Sequence, residues 1–224
     1  MKAISVARYL QEHVRDPFSG LSHLLTAVAA AAGTWLLVLK TTGGAGRRWP
    51  MLVYGISLVC LFSASALYHL VRGPAGRLAL LRKLDHGAIF LLIAGSYTPT
   101  AALVLTGFWR PATLIIIWTL GLAGITYKVF AIGARRWLYT LLYLLMGWLS
   151  IVLIGQLYRA LPPGALAWLV AGGAVYTAGA VLYILKWPRL WPPVFGFHEI
   201  WHLFVIGGAF CHYLVALLYL AQGV

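Results

Sequence analysis

The chain has 224 residues, of which 62% are hydrophobic and only 9% charged. A soluble domain carries about 25% charged residues, so this chain cannot cover a globule of its own size with polar surface, and its solvent is lipid. The net charge of +13 invites a nucleic-acid partner, but the basic residues gather between the apolar runs, where membrane proteins put them, and the nucleic-acid reading is rejected.

In chain order, the first 20 residues, MKAISVARYLQEHVRDPFSG, mix charged and apolar side chains. They lack the apolar centre of a cleaved signal peptide and suit a short amphipathic helix lying on the cytoplasmic membrane surface. From there to residue 224 the chain reads as a single domain of seven runs, each of about 20 apolar residues, the length that spans a bilayer. The runs cover residues 21–40, 51–70, 84–106, 111–132, 137–158, 165–186 and 198–220. Between them lie turn and charge signals such as TTGGAGRRWP, VRGPAGRLALLRK, RALPPG and KWPRLWPPVFGF. The separators are short, so consecutive helices should pack as neighbours. The expected fold is an all-α integral membrane protein with seven transmembrane helices, a multi-pass protein of the plasma or inner membrane.

Orientation follows from the basic residues. Lys2, Arg8, Arg15, Arg72, Arg77, Arg82, Lys83, Lys128, Arg135, Arg136, Lys186 and Arg189 fall on one side; Lys40, Arg47, Arg48, Arg110 and Arg159 fall on the other. The richer side is cytoplasmic, which places the N-terminus inside and the C-terminus outside. Cys60 and Cys211 lie within spans and read as small core residues, not as a disulfide.

Ionisable groups inside spans are costly, and their presence points to function. The acids are Glu12, Asp16, Asp85 and Glu199, and the last two stand at the starts of the third and seventh spans. His69 ends the second span, on the cytoplasmic side. Asp85 and His86 begin the third on that side, and His198 and His202 begin the seventh there. Three distant stretches thus deliver imidazoles and a carboxylate to one membrane depth, and the charge count that set the orientation did not use them.

The segment HEIWH, residues 198–202, satisfies H-E-x-x-H, the helix signature of zinc proteases. His198 and His202 share one helix face, suited to gripping one cation. Ser65 and His69, in SALYH, have the same spacing, with Ser65 one turn deeper. Three neutral imidazoles with an open fourth position describe a catalytic zinc site. Asp85 is placed to hold the water on such a zinc or to take its proton. His86 points about 100° away from Asp85 on an ideal helix and reads as a supporting residue. His23, at the start of the first span on the cytoplasmic side, is placed to line the cavity, with packing the preferred reading. His212 lies too far along the seventh helix to join the site and reads as a helix–helix hydrogen-bonding residue.

SALYH (65–69), LDHGAIFLLIAGSYTP (84–99) and HEIWHLFVIGGAFCHY (198–213) resemble the hemolysin III proteins, which belong with the progestin and adipoQ receptors, among them the adiponectin receptors. The wider group has been placed with alkaline ceramidases as membrane hydrolases. The resemblance runs from about residue 18 to the C-terminus. It implies a seven-helix bundle with a cytoplasmic N-terminus and zinc held by three histidines, here His69, His198 and His202. It also implies a contact between Asp85 and the water on that zinc, with Ser65 beside it. The glutamate between the two histidines is not a defining element of that pattern, so Glu199 reads chiefly as a helix-dipole residue. The long segments before the first span of adiponectin receptors are missing, so hormone binding is not implied.

The first functional reading is a zinc-dependent intramembrane hydrolase acting on a lipid amide or ester from a cytoplasmic-side cavity, with Asp85 as general base and Ser65 assisting. Its partners are membrane lipid and a zinc ion. The alternatives are a receptor-like or membrane-stress protein with a structural zinc, a pore-forming hemolysin, and an intramembrane protease using Glu199.

Overall fold

A computed structural model of the chain describes residues 14–130, 136–191 and 195–223. The helices are α1 (Pro17–Lys40), α2 (Ala45–Leu70), α3 (Ala75–Leu103), α4 (Trp109–Phe130), α5 (Arg136–Trp148), α6 (Ile154–Ala160), α7 (Pro163–Leu185) and α8 (Phe197–Leu218). A 3₁₀ segment, Leu149–Leu153, joins α5 to α6, and the three together make the fifth crossing. Six crossings among the described residues are long and apolar enough to span a bilayer; α3 is the long helix that falls outside that set.

Helix starts follow local chemistry. Pro17 opens α1 and Pro163 opens α7, because a proline ring presets φ and lacks an N–H that a first turn leaves unpaired anyway. Gly44, at φ 79°, precedes α2 in a backbone region that L side chains avoid. α3 begins at Ala75, nine residues before the apolar run that marks the third span. Its first turns carry Arg77, Arg82 and Lys83, so the helix starts in the polar zone and enters the apolar one at Leu84 and Asp85. Hydropathy marks where a helix is immersed, whereas hydrogen bonding decides where it begins. Most of the surface helix expected over the first 20 residues lies outside the described residues, and Pro17 to Gly20 belong to α1.

The break in the fifth crossing has a physical cause. The Tyr97 hydroxyl of α3 donates to the carbonyls of Met146 and Gly147, at 3.0 and 2.6 Å, and accepts the Ser150 N–H at 2.8 Å. A side chain inserted into the helical ladder breaks it, and in an apolar surrounding the freed backbone groups must be satisfied by protein. No apolar pattern announces this partner.

Sequential helices pack as neighbours: α1 on α2, α2 on α3, α3 on α4, and α7 on α8. The bundle also joins its first helix to its last, α1 to α8. Tyr54, Leu58, Phe62, Met51, Val205 and Val215 belong to the main buried cluster. Leu25, Trp35, Ile115 and Leu145 point outward, as expected where the surroundings are lipid. Cys60 is exposed on the bundle surface and not in the core, whereas Cys211 is buried. Because consecutive crossings alternate, the starts of α1, α3, α5 and α8 and the ends of α2 and α7 meet at one end of the bundle.

Candidate metal centre

That end holds most of the buried ionisable side chains. His23, Ser65, His69, Asp85 and His202 are all buried. His198 is half-buried. The last turn of α2 brings His69, the first turns of α8 bring His198 and His202, and the immersed start of α3 brings Asp85.

Nε2 of His198 lies 3.5 Å from Nε2 of His69 and 3.2 Å from Nε2 of His202. One ring nitrogen from each of these three residues falls within a mutual 4.8 Å. Tetrahedral ligands on a metal at about 2.0–2.1 Å stand roughly 3.3 Å apart, so the spacing fits a divalent ion of zinc's size. Ring nitrogens aimed at one another either share a proton or repel through their lone pairs, and a cation between them removes the repulsion. The donor set therefore suits a metal.

The sequence-derived residues thus converge: His69, His198 and His202 form the cluster, and Asp85 and Ser65 line the small cavity that His198 and His202 also line. The Ser65 hydroxyl is hydrogen-bonded to the Asp85 carboxylate. This cavity, about 30 Å³, has room for a water or two. It shares Leu61, Ile89, Tyr143, Trp201 and Val205 with a larger cavity of about 200 Å³ that extends between α3, α5, α6, α7 and α8. The wall of the larger one is mainly Leu, Ile, Val and aromatic side chains.

Other expectations are refined by the geometry. Glu199 lies away from the cluster: its Oε2 accepts the Gly196 N–H at 2.8 Å, and its Oε1 accepts from Ser19 Oγ at 3.4 Å. Its carboxylate holds the start of α8, in line with a helix-end role. His86 lines the same small cavity, with Nε2 3.9 Å from Asp85 Oδ2, and its backbone carbonyl accepts the Tyr143 hydroxyl at 2.8 Å. His212 stacks on Tyr176 of α7, with ring centroids 5.7 Å apart, and packs against Gly172.

Two residues carry more than their sequence context suggests. His23 does not merely pack: its Nε2 lies 3.0 Å from Nδ1 of His202. Asp16 stands at the cap position of α1 but makes no capping hydrogen bond. Its Oδ2 instead accepts from Nδ1 of His69 at 2.9 Å and from Arg15 Nε at 3.0 Å. Partial burial alone would raise the Asp16 carboxyl, but these two hydrogen bonds reverse the effect and hold it below the ordinary carboxylate value. Asp-Pro at a helix start is an ordinary cap signal, and nothing local points to a partner 53 positions away.

Comparison with known proteins adds family-level information. The profile of the haemolysin-III related family matches residues 11–213. "Hemolysin-3" of Bacillus cereus is 34% identical over 220 residues, covering 97% of this chain and 96% of the relative. "Hemolysin-3 homolog" of Bacillus subtilis (strain 168) is 34% identical over 177 residues, covering 78% of this chain and 80% of the relative. More distantly, "Adiponectin receptor protein" of Drosophila melanogaster is 28% identical over 212 residues, 86% of this chain but 48% of that protein.

Proposed function

The chain belongs to the haemolysin-III related family of membrane proteins, and on that footing we propose that it is a zinc-dependent hydrolase that cleaves a lipid amide or ester inside the bilayer. The observation that carries this reading is the convergence of three imidazole nitrogens beside a buried carboxylate, in a cavity that shares wall residues with a larger, mainly apolar one. A zinc ion on His69, His198 and His202 would supply a Lewis acid and make a bound water more acidic.

The protein's own groups divide the remaining work. Asp85 serves as general base and takes the proton of the attacking water as its oxygen bonds to the substrate carbonyl carbon. The Ser65 hydroxyl orients the Asp85 carboxylate through their hydrogen bond and is near enough to meet charge developing on the carbonyl oxygen. When the carbon–nitrogen or carbon–oxygen bond breaks, Asp85 returns the proton to the departing amine or alcohol. The larger cavity takes the hydrocarbon chain, whose burial against Leu, Ile and aromatic walls holds the reacting bond in place. A wall that is mainly apolar favours a lipid-binding role over a pore.

Metal content of the detergent-purified protein tests the premise, by mass spectrometry on the wild type and on the His198→Ala, His202→Ala double variant. About one zinc per chain, lost in the double variant, is the expected result for a single three-histidine site. A panel of lipid amides and esters then tests the chemistry. Absence of metal in the wild type after zinc is supplied would sink the mechanism; turnover that survives Asp85→Ala would remove its base.

A further inference from the structure

Two of the three imidazoles in the cluster have their remote nitrogen engaged by residues of the chain's first helix and the segment leading into it. We propose that Asp16 and His23 are positioning residues of the metal centre: Asp16 through Nδ1 of His69, and His23 through Nδ1 of His202, decide which nitrogen each ligand presents to the metal. The proposal rests on the three-histidine metal site above but assigns residues and a task that the site does not itself require.

The chemistry at His69 permits one arrangement. An ionised carboxylate only accepts hydrogen bonds, so Nδ1 of His69, 2.9 Å from Asp16 Oδ2, must carry the proton. A neutral imidazole then has its lone pair on Nε2, the nitrogen that faces His198 at 3.5 Å. At His202 the same logic runs through a second imidazole. Nε2 of His202 faces His198 at 3.2 Å, while its Nδ1 lies 3.2 Å from Nδ1 of His23 and 3.0 Å from Nε2. Nε2 of His23 also lies 3.5 Å from the His202 carbonyl, which only accepts, so His23 carries its proton there and takes the Nδ1–H of His202 on its own Nδ1. Left alone, a neutral histidine divides its population between two tautomers and swings about two side-chain torsions. A fixed acceptor on the far nitrogen removes both freedoms and makes the ligating nitrogen more basic.

Asp16 can do this because it is itself held in place. Its backbone N–H donates to the His69 carbonyl at 2.9 Å. Next to it, the Arg15 guanidinium lies 4.0 Å from the centre of the Tyr68 ring, and Arg72 donates to the Val14 carbonyl at 3.0 Å. Residues 14–16 are thus strapped along the end of α2, three contacts deep, with the carboxylate aimed at His69. One turn into α1, Gly20 lies so close to Leu70 that a Cβ there would overlap it, which lets α1 approach α2 at this level. His23 is the next turn along, against α8. The start of α1 therefore spans the gap between the two helices that supply ligands, and touches one imidazole on each.

The test uses the full-length protein in detergent. Zinc affinity is measured by competition with a chromophoric chelator, and ligand geometry by the visible absorption of the cobalt-substituted form. Thermal unfolding without metal serves as the control for folding. Asp16→Ala and His23→Ala should each weaken zinc binding by about 10–100-fold and shift the cobalt spectrum, with metal-free unfolding close to wild type. Asp16→Asn and His23→Gln, whose amide oxygens still accept from Nδ1, should recover most of the affinity. Wild-type affinity and spectrum in both alanine variants would overturn the proposal while leaving the metal site standing. Loss of affinity that tracks loss of metal-free stability, with no rescue by Asn or Gln, would also overturn it and give the two residues a purely structural role. A wild type that takes up neither zinc nor cobalt would instead overturn the three-histidine reading itself.

Discussion

Two cavities of the bundle share part of their walls, yet they are built from opposite materials. The small one is walled by His23, Ser65, Asp85, His86, His198 and His202 together with aromatic side chains; the large one, sharing five of its residues, is mostly Leu, Ile, Val and aromatic rings. That contrast shows how a chain with so few charges can house a cluster of ionisable side chains. Polar groups inside an apolar surrounding are tolerable where protein groups satisfy them, and most of the buried ionisable side chains do this together at one end. The rest of the interior is then free to be apolar and to hold something apolar.

The comparison breaks most sharply at Asp85. Asp85→Asn should lower hydrolysis of a lipid amide or ester by about 10²–10⁴-fold, the usual worth of a general base, with metal content unchanged. Zinc loss in the same variant would make Asp85 a ligand and turn the small cavity into a closed structural site. On the other side of the boundary, Gly173 lines the large cavity, and a Cβ there would meet only ordinary contacts with Trp148. Gly173→Phe should therefore raise KM for a long-chain substrate by about tenfold, since about two buried methylenes at about 0.8 kcal/mol each lose their place. A short-chain ester should be turned over as before. Equal effects on both substrates would mean that the large cavity does not hold the chain.

Tyr97→Phe removes three hydrogen bonds at the break in the fifth crossing. In a membrane protein this should cost about 1–2 kcal/mol, read as a lower unfolding temperature in detergent, and the zinc content should not move. The smallest effect belongs to Glu199→Gln. The amide oxygen still accepts the Gly196 N–H, so hydrolysis should stay within about twofold and stability within about 1 kcal/mol. Peptide cleavage that depended on Glu199 would revive the protease reading of H-E-x-x-H.

The candidate ligands were legible in the sequence because their signals are local and cumulative. His198 and His202 share a helix face by spacing alone, and span order with the charge rule puts His69 and Asp85 at the same depth. Glu199 was separable from them for the same reason: about 100° of rotation per residue takes it off their face. Asp16 was not legible as part of the site, and His23 was legible only as a residue placed to line its cavity. Asp16 sits at a helix start where capping explains it, and His23 sits on a span where packing explains it. Their partners, His69 and His202, are 53 and 179 positions away in the chain. The early start of α3 and the break at Leu149–Leu153 were hidden similarly, because hydropathy measures immersion and neither feature changes it.

The sequence by itself therefore determined the solvent, the order of the apolar crossings and the end of the bundle at which the ionisable residues meet. These depend on composition, periodicity and alternation, which are properties of short stretches and their order. Only the tertiary structure decided which nitrogens face one another, that Asp16 turns to His69 instead of capping its helix, and that the first helix lies against the last. Those outcomes depend on how helices far apart in the chain pack at close range, where a shift of an ångström makes or breaks a hydrogen bond.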